Sequence, residues 1–381
     1  MNLERIPFTQ VDITDLERSY LIAATKSQNI SGAGPFCAAA ENFINESLGS
    51  NKTLTTTSCS HALELSALLS RFSPGDEIIV PAFAFVTTAS SFGIHGAKPV
   101  MVDVGDDSLN LDPLCVERAI TKRTKAICVI HYAGMSTDID VLAQLANTYN
   151  LTLIEDNAHG LFATFKDKPL GTFGSLSAHS FHSTKNITCG EGGALVINDN
   201  SYIERAEILR EKGTNRSNFL KGKTDKYTWV DLGSSWVMSD LLGALLLGQL
   251  ERSSSITERR RDIFHKYAAS LKAWSEKYGI QLPAVHDHMY HTGHMFHMRF
   301  RRSKNREQFI AHMGQNGIDT PFHYQSLNIS KVGLTFGGFV GQCPISERAA
   351  ECLVRLPIYN SMSDGQVDRV ISNVLEFKPS T

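Results

Sequence analysis

A lysine occupies a suggestive position in the heptapeptide SFHSTKN, which spans residues 180–186. Lys185 follows a serine, a histidine and a threonine and precedes the glycine-rich run GEGG at 190–193. A lysine among polar residues is usually a solvated surface charge. In a desolvated site, by contrast, its amine is a nucleophile that forms a Schiff base with a carbonyl group. Other motifs in the chain are needed to choose between these two interpretations.

Two further segments could bind an anion and a planar ring. The segment TTTSCSHALEL at 55–65 joins a hydroxyl-rich start to helical apolar spacing. It is either an ordinary helix cap or an anion site, because the first N–H groups of a helix lack partners and carry its positive dipole. The run PAFAFVTTAS at 81–90 places Phe83 and Phe85 at a predicted strand-to-helix turn. These rings are expected either to pack in the core or to offer a stacking face.

Acidic residues end the apolar run LIEDNAH at residues 153–159. Glu155, Asp156 and His159 lie where this predicted strand meets the next loop. A carboxylate at the end of a buried strand is costly unless it meets a cation. A salt bridge to another protein side chain would satisfy it, and so would a protonated heteroaromatic nitrogen.

Each signal is weak alone, but together they match the requirements of pyridoxal phosphate (PLP). The set comprises a helix start that could bind a phosphate, an aromatic face for stacking on a ring, an acid for a ring nitrogen and the amine of Lys185. PLP needs a lysine for its Schiff base and a carboxylate that keeps its pyridine nitrogen protonated, so that the ring withdraws electrons. A nicotinamide cofactor is disfavoured because GEGGAL at 190–195 lacks the G-x-G-x-x-G spacing and comes late in the chain. No metal is expected, since the spacings in the His-rich HDHMYHTGHMFH at 286–297 fit no standard site.

Short Val- and Ile-rich runs alternate with helical stretches between residues 50 and 200, which predicts a mostly parallel sheet with crossover helices. Ligands of such open sheets bind at the carboxyl ends of the strands, where Asp156 and His131 are expected. The predicted strands are DEIIVPAF (76–83), KPVMVDV (98–104), KAICVIHYAG (125–134), LTLIEDNA (151–158), SAHSFH (177–182) and GALVIND (193–199). The predicted helices include SHALELSALLSRF (60–72) and DVLAQLANTYN (140–150).

The 381 residues fit one large α/β domain followed by a smaller α+β domain. The composition changes near residue 250, where the charged ERSSSITERRRD is followed by a long helical stretch and two strand-like runs. We predict a PLP-binding domain at 1–250, with an N-terminal segment able to pack on the small domain, and a small domain at 251–381.

Charge, cysteine content and hydropathy disfavour several classes of protein. With 37 Lys+Arg against 39 Asp+Glu, a formal net charge of -2 gives no overall field for nucleic acid or an anionic membrane. Seven scattered cysteines without a C-x-x-C pair disfavour a disulfide framework and indicate a reducing, cytoplasmic location. The longest nearly apolar run, LLGALLLG at 241–248, is far shorter than the roughly 20 residues of a membrane span. The N-terminal MNLERIPFTQ lacks the apolar region of a signal peptide.

The motifs SFHSTKN, EGGALVIND, EDNAHG and VIHYAG, with the long stretch from EKGTNRS to GSSWVMSD, resemble those of the DegT/DnrJ/EryC1/StrS family of sugar aminotransferases. The resemblance runs from SGAGPF near residue 31 to RLPIYNSMS at 355–363. It implies a fold type I PLP-dependent aminotransferase that moves the amino group of L-glutamate to C4 of TDP-4-keto-6-deoxy-D-glucose. The implied product, TDP-4-amino-4,6-dideoxygalactose, would serve a cell-surface polysaccharide of the enterobacterial common antigen or O-antigen type.

The resemblance also implies roles for individual residues. Lys185 matches the Schiff-base lysine that carries the proton, and Asp156 matches the partner of the pyridine nitrogen. His159 is expected beside the phenolic oxygen of the cofactor, and Phe85 matches the stacking aromatic. The phosphate-binding positions are Ser58, Cys59, Ser180 and Ser235. The last of these lies in an element that reaches across a homodimer interface, where several relatives have Asn.

Substrate contacts are less specific in the sequence. The candidate substrate contacts are His131, Asn215, Arg216, His323 and Tyr324. Of these, His323 and Tyr324 match a family segment that lines the sugar site, and Arg216 is a suitable donor to a diphosphate or to the carboxylate of the amino donor. The alternatives are a satisfied core histidine for His131, a surface charge for Arg216 and ordinary packing for the pair His323 and Tyr324.

Three functions agree with these features. The first is the C4 aminotransferase described above. The second is an aminotransferase that acts at C3, or at C4 with the opposite stereochemistry, because these reactions share the cofactor set. The third is a PLP-binding regulator without catalysis, which would be expected to carry a DNA-binding module that this chain lacks. A lysine at position 185 also disfavours the related sugar 3-dehydratases, which have histidine there.

Overall fold

The computed structural model describes residues 4–136, 138–220, 222 and 224–380. The helices of this part of the chain are α1 Asp15–Lys26, α2 Pro35–Leu48, α3 Cys59–Ser70, α4 Thr87–Gly93, α5 Pro113–Ala119, α6 Ile139–Thr148, α7 Ile203–Arg210, α8 Arg216–Leu220, α9 Asp240–Glu251, α10 Ser253–Tyr278, α11 Ser303–Gln315, α12 Lys331–Thr335, α13 Pro344–Cys352 and α14 Asp364–Glu376. The strands are β1 Lys52–Thr56, β2 Glu77–Pro81, β3 Lys98–Val102, β4 Thr124–Ile130, β5 Thr152–Asp156, β6 Thr164–Phe165, β7 Lys168–Pro169, β8 Leu176–Ser180, β9 Gly193–Ile197, β10 Met289–Tyr290, β11 Phe296–Arg299 and β12 Leu353–Leu356.

Within the described residues, seven strands form a central sheet in the order β1-β9-β8-β5-β4-β2-β3. The strands from β3 to β8 in this order are parallel, and β9 is antiparallel to both of its neighbours. All six predicted strands are present as β2, β3, β4, β5, β8 and β9. Strand β1 was not predicted, because its sequence KTLTT has no apolar run although four of its five residues are buried. The mostly parallel sheet confirms the predicted α/β class.

The start of α3 is fixed against the sheet by a cap and a glycine. Ser58 is the N-cap residue, and its Oγ accepts a hydrogen bond from the N–H of His61 (3.1 Å). Gly193 begins β9 beside this turn, and a Cβ there would overlap the backbone of Ser58 and Cys59. The absence of a side chain therefore lets the N-terminus of α3 approach the sheet closely.

The C-terminal part of the chain begins with the long helix α10 and contains the antiparallel pair of β11 and β12. The N-terminal segment packs here, since Ile6 pairs with Ile318 in a parallel bridge. One cluster of buried side chains contains Ile79, Phe264 and Phe296 and so extends across residue 250. The domain division at that residue therefore remains a prediction.

The apolar run at 241–248 lies inside α9, which packs against α1 and α2. Among the described residues, none of the helices has the length and apolar character needed to cross a bilayer. The run therefore lies in a helix that packs against other helices.

We expect Phe296→Ala to lower the free energy of unfolding by about 3–5 kcal/mol, because the lost ring leaves a cavity. Phe296 is fully buried, and its ring centroid lies 5.1 Å from that of Phe264 and 5.4 Å from that of Tyr267. Phe339→Ala is the matched control, since Phe339 is 59% exposed. Urea denaturation followed by circular dichroism measures both variants. Equal losses of stability in the two variants would contradict the assigned core.

Candidate active site

A cavity of about 830 Å³ lies at the carboxyl edge of the central sheet. This volume is in the range of small-molecule sites, about 300–1,000 Å³. It is lined by turns that follow β1, β2, β5 and β8, together with residues of the C-terminal region. The predicted site residues that line it are Ser58, Cys59, Phe85, Asp156, His159, Ser180, Lys185, His323 and Tyr324. The fold thus gathers nine separated predicted positions around one space.

Lys185 lies in the turn between β8 and β9. Its N–H donates to the carbonyl of His182 (2.9 Å), and a bridge between His182 and Gly190 closes the base of the turn. Gly190 has a φ of +91°, which explains the glycine at this point. Burial lowers the pKa of Lys185 to about 8, and the negative charge of Asp156 partly opposes the shift. The amine is therefore much less basic than that of a surface lysine.

Asp156 is the last residue of β5 and is almost fully buried. Thr88, in the first turn of α4, donates through its hydroxyl to Asp156 Oδ2 (2.6 Å), and the N–H of Ala158 donates to Oδ1 (3.3 Å). Burial raises the pKa of the Asp156 carboxyl group, whereas the Thr88 hydrogen bond and the Lys185 charge act in the opposite direction. A cation placed against this carboxylate would favour its ionised form, as a protonated pyridine nitrogen does.

Glu155, the preceding residue, points to the opposite face of the sheet, because successive side chains of a strand alternate. Its carboxylate accepts hydrogen bonds from three N–H groups in the loop 171–174, each at 2.7 Å, and from His131 Nε2 at 2.7 Å. His131 is 1% exposed and does not line the cavity. In this subunit its position supports the alternative of a satisfied core histidine rather than the predicted substrate contact.

One end of the cavity is suited to an anion. The N–H groups of Cys59 and Ser60, at the start of α3, have no acceptor among the described residues, and both residues line the cavity. Ser58 and Ser180 add hydroxyl groups to the same lining. Free N–H groups at a helix N-terminus bind phosphate groups well, because their dipoles point at the ligand.

The middle of the cavity presents aromatic and imidazole rings. The half-exposed Phe85 ring lies 6.2 Å from the ring of Tyr324, measured between centroids. The His159 ring stacks on that of His294 at 4.3 Å, and burial lowers the pKa of His159, so that it is neutral at ordinary pH. His159 Nδ1 is buried without a hydrogen-bond partner among the described residues. It is therefore available to a polar atom of a bound molecule.

Three predicted residues lie in the segment from 211 to 236, outside the cavity of their own subunit. Asn215 Oδ1 accepts from the N–H of Thr228 (2.7 Å), and Arg216 Nη1 lies 3.6 Å from Glu211 Oε1. Ser235 is exposed and pairs with Glu211 through a backbone bridge. A single subunit therefore does not bring these side chains to the site, and their predicted roles require a second subunit.

The sequence did not identify Thr88, Arg355, His294 and Phe8 as contributors to the site. Thr88 was visible within PAFAFVTTAS, but nothing in that run indicates that its hydroxyl meets an acid far along the chain. Arg355 and His294 reach the cavity only because β11 and β12 pair beside it. No local signal in the sequence gives that pairing.

The His-rich segment at 286–297 contains the short strand β10, then a loop, and then the first residues of β11. His294 lines the cavity, whereas His291 and His297 are buried beside it. Within the described ranges of the chain, His, Cys, Asp and Glu side chains form no group of three that could hold a metal ion.

The residues of this cavity fit pyridoxal phosphate. Free N–H groups suit its phosphate, the buried Asp156 carboxylate suits its ring nitrogen, and the amine of Lys185 suits its aldehyde. The unpaired Nδ1 of His159 suits its phenolic oxygen. The fold and the site thus define a PLP-dependent enzyme of fold type I.

Comparisons with known proteins identify the family. The chain belongs to the DegT/DnrJ/EryC1/StrS aminotransferase family, whose sequence model matches residues 11–375. It is 31% identical over 335 residues to the spore coat polysaccharide biosynthesis protein SpsC of Bacillus subtilis, covering 86% of this chain and 85% of the relative. It is 29% identical over 390 residues to the UDP-4-amino-4-deoxy-L-arabinose–oxoglutarate aminotransferase of Shewanella sediminis, covering 99% of both chains.

Solved structures agree with this assignment. The putative sugar aminotransferase Spr1654 from Streptococcus pneumoniae, in its PLP form, superposes with a TM-score of 0.88 at 27% identity. The match covers 97% of this chain and 98% of that one, and the same protein is also solved in a pyridoxamine phosphate (PMP) form. The protein is a PLP-dependent sugar aminotransferase, which confirms the predicted family, fold type and cofactor.

We expect Lys185 in the cofactor-free protein to titrate near pH 8, because burial lowers the pKa of its amine, and the exposed Lys125 serves as the comparison lysine. The rate of acetylation by acetic anhydride, followed residue by residue by mass spectrometry across a pH series, measures this midpoint. Asp156→Asn should lower the midpoint further, because it removes a negative charge that favours the protonated amine. A Lys185 midpoint equal to that of Lys125 would restore the surface-charge interpretation.

Proposed function

We propose that this enzyme transfers the amino group of L-glutamate to C4 of TDP-4-keto-6-deoxy-D-glucose. The product would be TDP-4-amino-4,6-dideoxygalactose, made in the cytoplasm for a cell-surface polysaccharide of the enterobacterial common antigen or O-antigen type. The observation that carries the proposal is that a less basic Lys185 and a buried Asp156 share one cavity with a phosphate-binding helix start. The size of the cavity leaves room for a sugar beside the cofactor.

The names of the relatives support amino transfer to a nucleotide-linked sugar. The Shewanella relative, matched over its whole length, is named for a UDP-linked 4-amino sugar and for oxoglutarate, the keto acid of glutamate. The Bacillus relative is named for the biosynthesis of a surface polysaccharide. These similarities favour a keto sugar as acceptor, C4 as the position and glutamate as donor.

The side chains of the cavity suit the proton transfers of such a reaction. When bound, pyridoxal phosphate supplies the carbonyl that accepts the amino group and a ring that withdraws electrons from the reacting carbon. Lys185 Nζ would take a proton from the α-carbon of the amino acid and later deliver one to C4 of the sugar. A pKa of about 8 leaves a usable fraction of both protonation states near neutral pH. Asp156 would stabilise the positive ring nitrogen, and Thr88 would hold Asp156 in place.

Two other substrate outcomes use the same residues. Amino transfer at C4 with the opposite stereochemistry would need only a different orientation of the sugar above Lys185, whereas transfer at C3 would need a 3-keto sugar as the acceptor. The regulator without catalysis is disfavoured by the family assignment. His323 and Tyr324 are proposed to contact the sugar, because both line the cavity beside the ring-binding region.

We expect L-glutamate to abolish the absorbance band of the lysine-bound cofactor and to release one equivalent of 2-oxoglutarate. Addition of TDP-4-keto-6-deoxy-D-glucose should restore the band and yield the 4-amino sugar. Stopped-flow spectra, a coupled assay for 2-oxoglutarate and proton NMR of the product measure these steps. Lys185→Ala is the control that should show neither change.

The NMR coupling pattern of the product decides among the substrate outcomes. An axial amine at C4 gives small couplings between H4 and its neighbours and would support the proposed product. Large couplings would indicate the opposite C4 stereochemistry, and amination of a 3-keto sugar but not of the 4-keto sugar would indicate the other regiochemistry. Either result would overturn the proposed product while leaving amino transfer intact.

We also propose that the enzyme acts as a homodimer with shared active sites. Large apolar side chains are exposed near the segment that holds Asn215, Arg216 and Ser235: Trp229 is 73% exposed and Leu232 is 69% exposed. Exposed apolar clusters of this kind mark interaction surfaces. A second copy that covers them would place Ser235 near the cofactor phosphate of its neighbour, as the family resemblance implies.

We expect Leu232→Asp to shift the protein from dimer to monomer and to reduce activity, because it places a charge in the proposed interface. Val340→Asp is the matched control, since Val340 is 77% exposed outside this segment. Light scattering after size-exclusion chromatography measures the mass. A wild-type monomer, or an unchanged mass in Leu232→Asp, would contradict the proposed interface.

A further inference from the structure

Arg355 is a cation inside the cavity to which neither the sequence nor the family resemblance gives a role. It lies in β12 directly opposite His297 of β11, and its N–H donates to the carbonyl of Pro321 (3.0 Å). Its side chain lines the same cavity as Lys185. The guanidinium is thus held by a two-stranded sheet on one side and by the segment that carries His323 on the other.

The guanidinium of Arg355 has unused hydrogen-bonding capacity. Nη2 donates to the carbonyl of Phe322 (2.9 Å), and the Phe8 ring lies 4.4 Å from Cζ in a cation–π contact. Nε is buried and has no acceptor among the described residues. Since a guanidinium has five N–H donors arranged to grip two oxygens at once, most of its fork remains unpaired.

No carboxylate of the described chain neutralises Arg355, which takes part in none of its salt bridges. Asp156 is hydrogen-bonded to Thr88 on another wall of the cavity, and Glu191 lies 3.5 Å from His182. Arg260, a second arginine of the lining, differs because its guanidinium donates to the carbonyls of residues 293 and 294. Arg355 is therefore a partly buried charge whose counter-ion is missing from the described residues.

The groups near Arg355 do not supply that counter-ion. His159, His297 and His323 are kept neutral, because burial lowers the pKa of each. Arg355 and Lys185 line the same cavity. An anion that binds Arg355 therefore lies in the cavity that holds the amine proposed to take part in the chemistry.

We propose that Arg355 is the binding site for a carboxylate of the amino-acid donor. The inference rests on the proposed use of L-glutamate and assigns the position of that donor in the cavity. A carboxylate presents two oxygens in the plane that the free N–H groups of Arg355 can grip. Phe8 covers one face of the guanidinium and excludes water from it.

The alternative anion in this reaction is the diphosphate of the nucleotide sugar. The donor is the better match, because its α-carboxylate is bonded directly to the carbon that reacts beside Lys185. The diphosphate, by contrast, is joined to C1 and is separated from a reacting C4 by the sugar ring. A cation that lines the same cavity as Lys185 is therefore suited to the carboxylate.

The test measures binding of glutarate, a dicarboxylate without an amine, to the holoenzyme by isothermal titration calorimetry. We expect Arg355→Met to weaken glutarate binding about tenfold to a hundredfold, the effect of losing a charge-assisted pair of hydrogen bonds. Arg355→Lys keeps the charge but loses the fork and should weaken binding by a smaller factor. Arg118→Met, on the exposed surface of α5, is the matched control and should bind like the wild type.

Binding of TDP to the same variants distinguishes a site for the donor carboxylate from a site for the diphosphate. Unchanged TDP affinity together with weakened glutarate affinity supports the assignment to the donor. Weakened TDP binding with unchanged glutarate binding would overturn it in favour of the diphosphate. Equal affinities in wild type and Arg355→Lys for both ligands, or no glutarate binding by the wild type, would also overturn it.

The kinetics of the two half-reactions provide a second readout. The concentration of L-glutamate that gives half the maximal rate of 2-oxoglutarate release should rise in Arg355→Lys, while that for the keto sugar stays constant. The absorbance band of the lysine-bound cofactor reports whether each variant folds and carries PLP. A wild type that binds glutarate through Arg355 but releases no 2-oxoglutarate from L-glutamate would disprove the proposed donor and leave the carboxylate site intact.

Discussion

The burial of Asp156 at the end of β5 is the interaction on which the rest of the site depends. A carboxylate removed from water favours its protonated form, and burial raises the pKa of Asp156 accordingly. The Thr88 hydroxyl and the Lys185 charge oppose this shift, and a bound pyridinium would oppose it further. Burial acts on Lys185 in the complementary sense by favouring its neutral amine. Desolvation therefore prepares the amine of Lys185 as a nucleophile for the aldehyde, whereas Asp156 depends on Thr88 and on nearby positive charge to be the anion for the ring nitrogen.

Glu155 and Asp156 have different roles because their side chains lie on opposite faces of the sheet. Glu155 and Asp156 are adjacent, yet the pleat directs them to opposite faces. Three N–H groups of the loop 171–174 and His131 satisfy Glu155, and these contacts lower its pKa in spite of complete burial. Asp156 is left with two hydrogen bonds and faces the cavity. Glu155 thus holds the end of the strand in place. Asp156 can therefore keep a carboxylate that only two hydrogen bonds stabilise until a cation binds to it.

Much of the fold was predictable because the central strands are apolar on both faces and the helices between them have clear periodicity. Strand β1 escaped prediction because buried threonines do not read as an apolar run. The cofactor residues were predictable because they lie within short motifs at strand ends, as Asp156 and Lys185 do. Thr88 and Arg355 were not, because each acts on a residue brought close only by tertiary packing. Asn215 and Ser235 lie outside their own cavity, and their roles depend on a second subunit that one sequence cannot position.

If one cavity binds an amino acid and then a sugar, the cation that binds the carboxylate must be stable in the protein when no carboxylate is present. A partly buried guanidinium without a counter-ion is costly, and burial lowers the pKa of Arg355. The Phe8 ring and the Phe322 carbonyl reduce this cost without supplying a negative charge. An acidic partner would remove the cost altogether, but it would also compete with the donor for the guanidinium. The weak, neutral partners of Arg355 therefore suit a site that is filled in one half-reaction and empty in the other.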